Sequence, residues 1–398
     1  MRQSILVFGL SDLQKSLIER CKAKGLFTVG IDPNPEAKCR NLVDVFEVVS
    51  GQDFEATLNV VKMHNVSAII TAATDKPLIM MARICEAIRF RFFSVETAIQ
   101  STDKLLMKQR FQEHNIPCAN GFVLNNFKQL SDKILEYPLI VKPRDNSGSR
   151  GVIYCNNCED LNNAIKVALQ FTKKGNVLVE EFIEGKEYSV EGIHYRGETY
   201  IIQITEKVTS NFPFNVEMGH KQPADLDDSK INEINNLVSK MATAFRFDNC
   251  ASHTELIVSS KGIIKIIETS PRLGGDFISS TLTPLSTGVN MEDLLIDISL
   301  GLDLCPDFAL PKKNHYSGIV YFEARPGRIA SIVELNKNIL PRGVIELVIT
   351  LKAGDEVKPI TCSLDRYGYA ILEAENMLKL QKLVIKCNEI AKKAIMYV

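Results

Sequence analysis

The segment from His253 to Gly275, HTELIVSSKGIIKIIETSPRLGG, gathers residue types that can hold a cation and an anion together. Two strand-like runs, Thr254–Val258 and Ile263–Thr269, flank a Ser-Ser-Lys-Gly break. With Lys261-Gly262 as a two-residue hairpin turn, Ser260 pairs with Ile263, and counting back along both strands sets Glu255 opposite Glu268. Directly opposed side chains share a face, with Cβ atoms about 5 Å apart. Two carboxylates that close repel unless a proton or a cation lies between them. Hard divalent ions with oxygen ligands, Mg²⁺ or Mn²⁺, suit such a pair. Arg272, four residues after the second carboxylate, adds a fixed cationic fork for phosphate or carboxylate. Together these residues point to phosphate chemistry.

Other segments carry groups that suit a nucleotide. Lys142 lies inside the apolar run Leu139-Ile140-Val141-Lys142-Pro143, where an ammonium group is costly unless it meets an anion. The bland alternative is an edge lysine that reaches out to water. The next loop, Asp145 to Gly151 (DNSGSRG), is rich in small residues, which let backbone N–H groups cradle phosphate oxygens. It lacks the GK[ST] of a P-loop and does not open a helix; taken alone, it reads as a hairpin. In VLVEEFIEGKEYSVEGIHY, Glu180, Phe182 and Ile183 leave one strand, and Glu187 opens the next with Ser189 and Glu191 on its own face. A carboxylate at Glu187 could accept both ribose hydroxyls, and the backbone of Glu181–Ile183 could pair with an adenine edge. An acidic, solvated strand end is the alternative.

Elements must hold these groups in place. Ser4–Phe8, Phe27–Ile31 and Val66–Thr71 read as strands, alternating with helices over Asp12–Lys24 and Lys76–Arg89. That order predicts an open, parallel α/β sheet in residues 1–100, a Rossmann relative without the glycine fingerprint. Asp32, at the end of the second strand, could hold a ribose or could be a polar turn residue. Ser101-Thr102-Asp103 caps a helix carrying Lys104 and Lys108. Residues 101–184 read as a compact α/β unit with strands Leu139–Lys142, Val152–Cys155 and Val177–Glu181. Residues 185–309 are strand-rich with one helix, Asp228–Phe245. Residues 310–398 form a β-rich tail that ends in a helix, Glu373–Ala394.

The bulk composition narrows the partners. The chain has 398 residues, 45% hydrophobic and 24% charged, with formal net charge −1. Nothing basic offers itself to a nucleic acid or an anionic membrane. The N-terminus reads as a first strand, not a signal peptide, and no run reaches the roughly 18 apolar residues a membrane span needs. Ten scattered cysteines fit reduced thiols in the cytoplasm. Cys155 and Cys158 have the spacing of half a zinc site, without a second pair to complete it.

In order, the chain offers Lys104, the VKP strand with Lys142, DNSGSRG, EEFIEGKEYSVE, HTEL and IETSPRLGG. This succession resembles the ATP-grasp superfamily over roughly the whole length, in its carbamoyl-phosphate-synthase-like branch with the L-amino-acid ligases. The resemblance implies α/β and α+β architecture: a Rossmann-like pre-ATP-grasp domain (1–100), a small lobe (101–184) with flap loop 145–151, a large lobe (185–309) with the metal site, and a closing domain (310–398). It implies ADP-forming ligation of a carboxylate to an amine through an acyl phosphate, with ATP and Mg²⁺ or Mn²⁺. By position, Lys104 and Lys142 would contact phosphates, Glu180 the adenine amino group with Phe182 or Ile183 beside it, and Glu187 the ribose. Ser147, Ser149 and Gly151 would belong to the flap. Glu255 and Glu268 would ligate metal, and Arg272 would stabilise the reacting centre.

One departure stands out. The family pattern has Asn two residues after the second metal carboxylate, and this chain has Ser270, a shorter oxygen ligand. In amino-acid-ligase relatives a segment like Phe214–His220 lines the carboxylate pocket, so Glu217 and His220 would face the amino acid, Glu217 toward its ammonium group. Lys207 would reach the γ-phosphate. Gly275 would let substrate approach the backbone, and Asp276, at the pocket wall, would favour a polar or cationic first amino acid. Other members of the superfamily, purine-type or carbamoyl-phosphate-type ligases, and a non-catalytic ATP sensor are the competing readings. The expected partners are small carboxylates and amines; the tail that would close the site could equally serve a homodimer interface.

Overall fold

The computed structural model describes residues 2–126, 135–146, 148, 150–212, 214–335 and 340–398. Strands β1 (Ser4–Phe8), β2 (Phe27–Ile31), β3 (Val45–Glu47) and β4 (Val66–Ile70) form a parallel sheet in the order β3-β2-β1-β4. β1 is buried at every residue, as a parallel strand covered on both faces must be. The three-residue β3 and the helices Phe54–Met63 and Val95–Thr102 add to the expected elements. Asp32 accepts from the backbone N–H of Leu10 at 2.9 Å and of Asn34 at 2.8 Å. It ties two strand ends together, the polar-turn role and not the ribose one. Ser101 and Thr102 finish the helix Val95–Thr102, and Asp103 alone caps the helix Lys104–Glu113 through the N–H groups of Leu105 and Leu106.

A second sheet, antiparallel, joins β5 (Gly121–Leu124), β6 (Leu139–Pro143), β7 (Ile153–Cys155) and β8 (Val177–Glu181) in the order β5-β8-β6-β7. The helix Cys158–Leu169 buries Leu161, Ala164, Ile165 and Ala168 against it, at the i, i+3, i+4, i+7 spacing of one stripe.

The largest sheet contains β9 (Gly185–Tyr195), β10 (Glu198–Thr209), β11 (Glu217–Gln222), β12 (Cys250–Ser259), β13 (Ile264–Ser270) and β14 (Tyr316–Tyr321). Beyond them come β15 (Gly327–Ile332), β16 (Val344–Ile349), β17 (Glu356–Val357), β18 (Gly368–Ala374) and β19 (Ile395–Tyr397). The order is β13-β12-β9-β10-β11-β14-β18-β16, with β15 paired separately to β17 and β19. The sheet thus runs across residue 310, because β11 pairs with β14. The last helix is Met377–Ala394, capped by the Asn376 side chain, and Glu373 lies in β18 before it. The helix therefore starts four residues later than its periodicity suggests, directly after Asn376, whose side chain accepts from the Lys379 N–H.

The two faces of the large sheet divide the work. Tyr188 and Val190 of β9, Leu256 of β12 and Ile266 of β13 face the helix Asp228–Phe245, whose Ile234, Val238, Met241 and Phe245 share their core. The alternate residues, Glu187, Ser189 and Glu191 on β9 with His253, Glu255 and Ile257 on β12, are paired across the strands and share the other face.

Candidate active site

Glu255 pairs directly with Glu268, but by a different route from a two-residue turn. Ser259 pairs with Ile263 through its N–H, and Gly262, at φ +77, donates to Ser259. The loop is therefore three residues, Ser260 to Gly262, with glycine in the left-handed position such a loop needs. This register would set Glu255 opposite Ile267. A bulge after the Leu256–Ile266 pair inserts one residue and restores the Glu255–Glu268 pairing.

Lys104, Lys142, Glu180, Phe182, Ile183, Glu187, Lys207, Glu217, Glu255 and Glu268 line one cleft between the small and large sheets. From the loop after β6, Asn146, Gly148 and Arg150 also line it. Ser147 and Ser149 lie outside the described residues. Gly151 is not in the lining; a side chain there would collide with Phe171 and Pro143. Cys155 is buried and Cys158 exposed, and no group of three or more His, Cys, Asp or Glu arranged to hold a metal occurs among the described residues.

Each of the opposed carboxylates already attracts a cation. Lys104 bonds Glu268, and Lys207 Nζ lies 2.8 Å from Glu255. Lys207 is also 3.2 Å from Glu217 and 3.7 Å from Glu187. Burial favours the neutral amine, but the three carboxylates, Glu255 first, outweigh it and hold the Lys207 ammonium well above its usual range. Burial likewise opposes the Glu255 charge, and Lys207 and His253 reverse that, so its carboxyl titrates well below normal. Two opposed carboxylates with only hard oxygen donors, in a cleft with more acids than the lysine can neutralise, fit a hard divalent cation. His253 Nδ1 is 2.6 Å from Glu191 and its Nε2 is 3.3 Å from Glu255, so a buried pair braces Glu255 from behind.

At the other end of the cleft, Glu180 is held by Lys142 at 2.5 Å and Lys108 at 2.6 Å. Glu180 is thus the anion that makes a lysine tolerable inside β6, and burial of its carboxyl is overcome by the two ammonium groups. Glu187 receives a 2.6 Å hydrogen bond from Asn215; burial still raises its carboxyl above the usual range. Tyr154 of β7 stacks on Phe212 with ring centroids 4.3 Å apart, and Phe182 meets both edge-on. Small lobe and β10–β11 loop therefore touch beside the expected adenine position.

A second set of residues stands outside the cleft lining. Arg272 Nε lies 2.8 Å and Nη2 3.4 Å from Asp75, which follows β4. Ser270, expected beside the metal, donates to Asp75 at 2.7 Å instead, joining Arg272 on that partly buried carboxylate. Burial raises the Asp75 carboxyl, but Arg272 and Ser270 outweigh it and bring it down to about 2. Asp276 is gripped by Arg366 at 2.6 and 2.8 Å and reached by His220 Nε2 at 3.3 Å. Its charge is taken within the protein, which removes the physical basis for selecting a cationic substrate. Gly274 is closely packed, since a Cβ there would fall 2.7 Å from Glu191 and 2.8 Å from His253, whereas at Gly275 it would meet only Ala73, at 3.6 Å.

No role was assigned from sequence to Asp75, Arg366, Asn215, Phe212, Lys108 or His253. Lys108 stands one helical turn from Lys104, and His253 two residues before Glu255 on the same strand face; those spacings were signals. Asp75 and Arg366 had none, being 197 and 90 residues from their partners.

The architecture is the ATP-grasp fold. Residues 135–281 match the ATP-grasp domain family, and residues 320–387 match the L-amino acid ligase C-terminal domain 2. The chain is 26% identical over 270 residues to the alanine–anticapsin ligase of Bacillus amyloliquefaciens, covering 61% of this chain and 57% of that protein. It spans less than two thirds of the length of the curated relatives it matches. The crystal structure of an L-amino acid ligase from Bacillus licheniformis superposes with TM-score 0.86 at 19% identity, over 100% of this chain and 99% of that one. Phosphoribosylglycinamide synthetase from Anaerococcus prevotii shares the fold with TM-score 0.77 at 23% identity, over 100% of both chains.

Proposed function

We propose that the chain is an ATP-dependent, ADP-forming ligase that joins an amino acid's carboxylate to an amine or a second amino acid through an acyl phosphate. One observation carries this reading: a single ammonium, Lys207 Nζ, touches both Glu255 and Glu217. An amino acid whose ammonium binds Glu217 then lies beside the place where the terminal phosphate meets the paired carboxylates.

ATP would lie along the cleft as substrate. Its base would rest by Phe182 and the Ile183 backbone, its ribose at Glu187, and its phosphates toward Lys104, Lys142 and Lys207. Glu255 and Glu268 would hold Mg²⁺ or Mn²⁺, which when bound offsets negative charge on phosphate oxygens. The lysines neutralise the transferring phosphoryl group. A substrate carboxylate oxygen attacks the γ-phosphorus, the bond to the bridging oxygen breaks, and ADP leaves. The neutral amine attacks the acyl carbon, and the departing phosphate takes up the proton that the amine nitrogen releases. The C–N bond forms as the C–O bond to phosphate breaks, and phosphate leaves; the reacting-centre role expected of Arg272 would require it to part from Asp75. The Tyr154–Phe212 contact, with Asn146, Gly148 and Arg150 in the cleft wall, keeps water from the acyl phosphate.

The named activities of the alanine–anticapsin ligase and of the L-amino acid ligase support the amino-acid branch, as does the match of residues 320–387. The fold shared with phosphoribosylglycinamide synthetase favours a purine-type ligase as the second reading. No helix among the described residues is long and apolar enough to cross a membrane; we place the enzyme in the cytoplasm, where its cysteines stay reduced. The test is phosphate release from ATP across pairs of amino acids, with mass spectrometry of products. Release that requires an amino-acid pair supports the ligase; release with a ribosylamine and glycine supports the purine reading; nucleotide binding without turnover supports a sensor.

A further inference from the structure

We propose that Arg366, carried in by the C-terminal residues, is a positioning residue of the amino-acid pocket: through Asp276 and the Glu217 backbone it sets His220 and Glu217 for the substrate. This rests on the amino-acid reading above.

The short turn Ser363–Asp365 delivers Arg366 against the large lobe. Its guanidinium grips Asp276 at 2.6 and 2.8 Å, donates to the Glu217 carbonyl at 3.2 Å and lies 3.6 Å over the Tyr321 ring. Ser363 Oγ donates to Glu217 Oε2 at 3.0 Å. One short segment therefore holds the main chain and the carboxylate of the residue proposed to receive the ammonium. Asp276 has φ +49 and Phe277 φ +62, a backbone that ordinary residues keep only when surrounding contacts hold it. The bidentate pair with Arg366 is such a contact.

His220 is the second observation. It is 2% exposed, and its Nδ1 has no hydrogen-bond partner among the described residues. Its Nε2 faces Asp276, so the imidazole is oriented by one nitrogen while the other is buried and unpaired. Buried ring nitrogens rarely stay unpaired; a polar group of the amino acid completes this one. His220 stands opposite Lys207 in the strand register, and Lys207 in turn holds Glu217. Arg366 occupies Asp276, so the ammonium falls to Glu217, which Lys207 and Ser363 hold in place.

The experiment compares wild type with Arg366→Met, Arg366→Lys, Asp276→Asn and the Met/Asn double variant. The readouts are amino-acid KM, kcat and, independently, the affinity of a fluorescent ATP analogue. Arg366→Met raises the amino-acid KM about ten- to hundredfold and leaves nucleotide affinity within about twofold. Arg366→Lys recovers part of the loss, because lysine keeps the charge without the fork. The double variant is no worse than the poorer single one, since both act on one contact. Unchanged amino-acid KM in Arg366→Met overturns the proposal, as does a parallel fall in nucleotide affinity in both Arg366 variants, the mark of a merely structural lock. Wild type that releases no phosphate with any amino-acid pair overturns the functional reading itself, and this inference with it.

Discussion

Ile266 and Glu268 are two residues apart on one strand yet face opposite sides of the sheet. Ile266 is paired with Leu256 in the core, and Glu268 with Glu255 in the cleft. Strict alternation would put both on one face. The inserted bulge residue gives each its own environment, and it brings two carboxylates together over a hydrophobic floor.

That pairing predicts the effect of removing one charge at constant size. Glu255→Gln and Glu268→Gln should each lower Mg²⁺-dependent phosphate release by about 10²–10³-fold. Binding of nucleotide in EDTA should change little. Full turnover in either variant, measured under saturating Mg²⁺, would remove the metal site from the reading.

Lys207 is one ammonium among three carboxylates, Glu255, Glu217 and Glu187. The cluster is short of positive charge. Mg²⁺ alone should therefore raise the melting temperature, since a ligand bound only by the folded state stabilises it. In Lys207→Met the protein should melt lower in EDTA and gain more from Mg²⁺ than wild type does. Scanning calorimetry with and without the ion checks the order.

Phe212 is 43% exposed although it stacks on Tyr154 and meets Phe182. An exposed aromatic that bridges two lobes gains its value when the cleft is filled. Phe212→Ala should weaken ATP binding by about five- to tenfold, on the scale of one aromatic contact, while costing little stability without nucleotide. Titration calorimetry and thermal melts separate the two effects.

Glu292 lies in the seam between the helices Lys15–Ala23 and Met291–Ser299, where Ser16 donates to it at 2.6 Å. Burial lifts its carboxyl to about 7, with Ser16 and Arg20 only partly opposing. A folded-state value above the unfolded one means protonation favours the fold. The contribution is complete below about 4.5 and is lost as pH rises through about 7. Glu292→Gln should flatten this part of the stability–pH curve between those values, as read from urea midpoints.

Residue order and local pattern were enough for the parallel N-terminal sheet, for the helix Asp228–Phe245 to the residue, and for the facing of Glu255 and Glu268. Those features depend on hydrophobic period, turn chemistry and spacing, which act over a few residues. The hairpin count reached the right pair through an extra turn residue and a bulge that offset one another, because register is counted along both strands and the two irregularities cancel. Tertiary structure alone decided how the charges are shared. Glu180 went to Lys108 and Lys142, Ser270 and Arg272 went to Asp75, and Asp276 went to Arg366. A buried charge takes whichever opposite charge the packing of distant elements brings within about 3–4 Å, and no local pattern in the chain encodes that meeting.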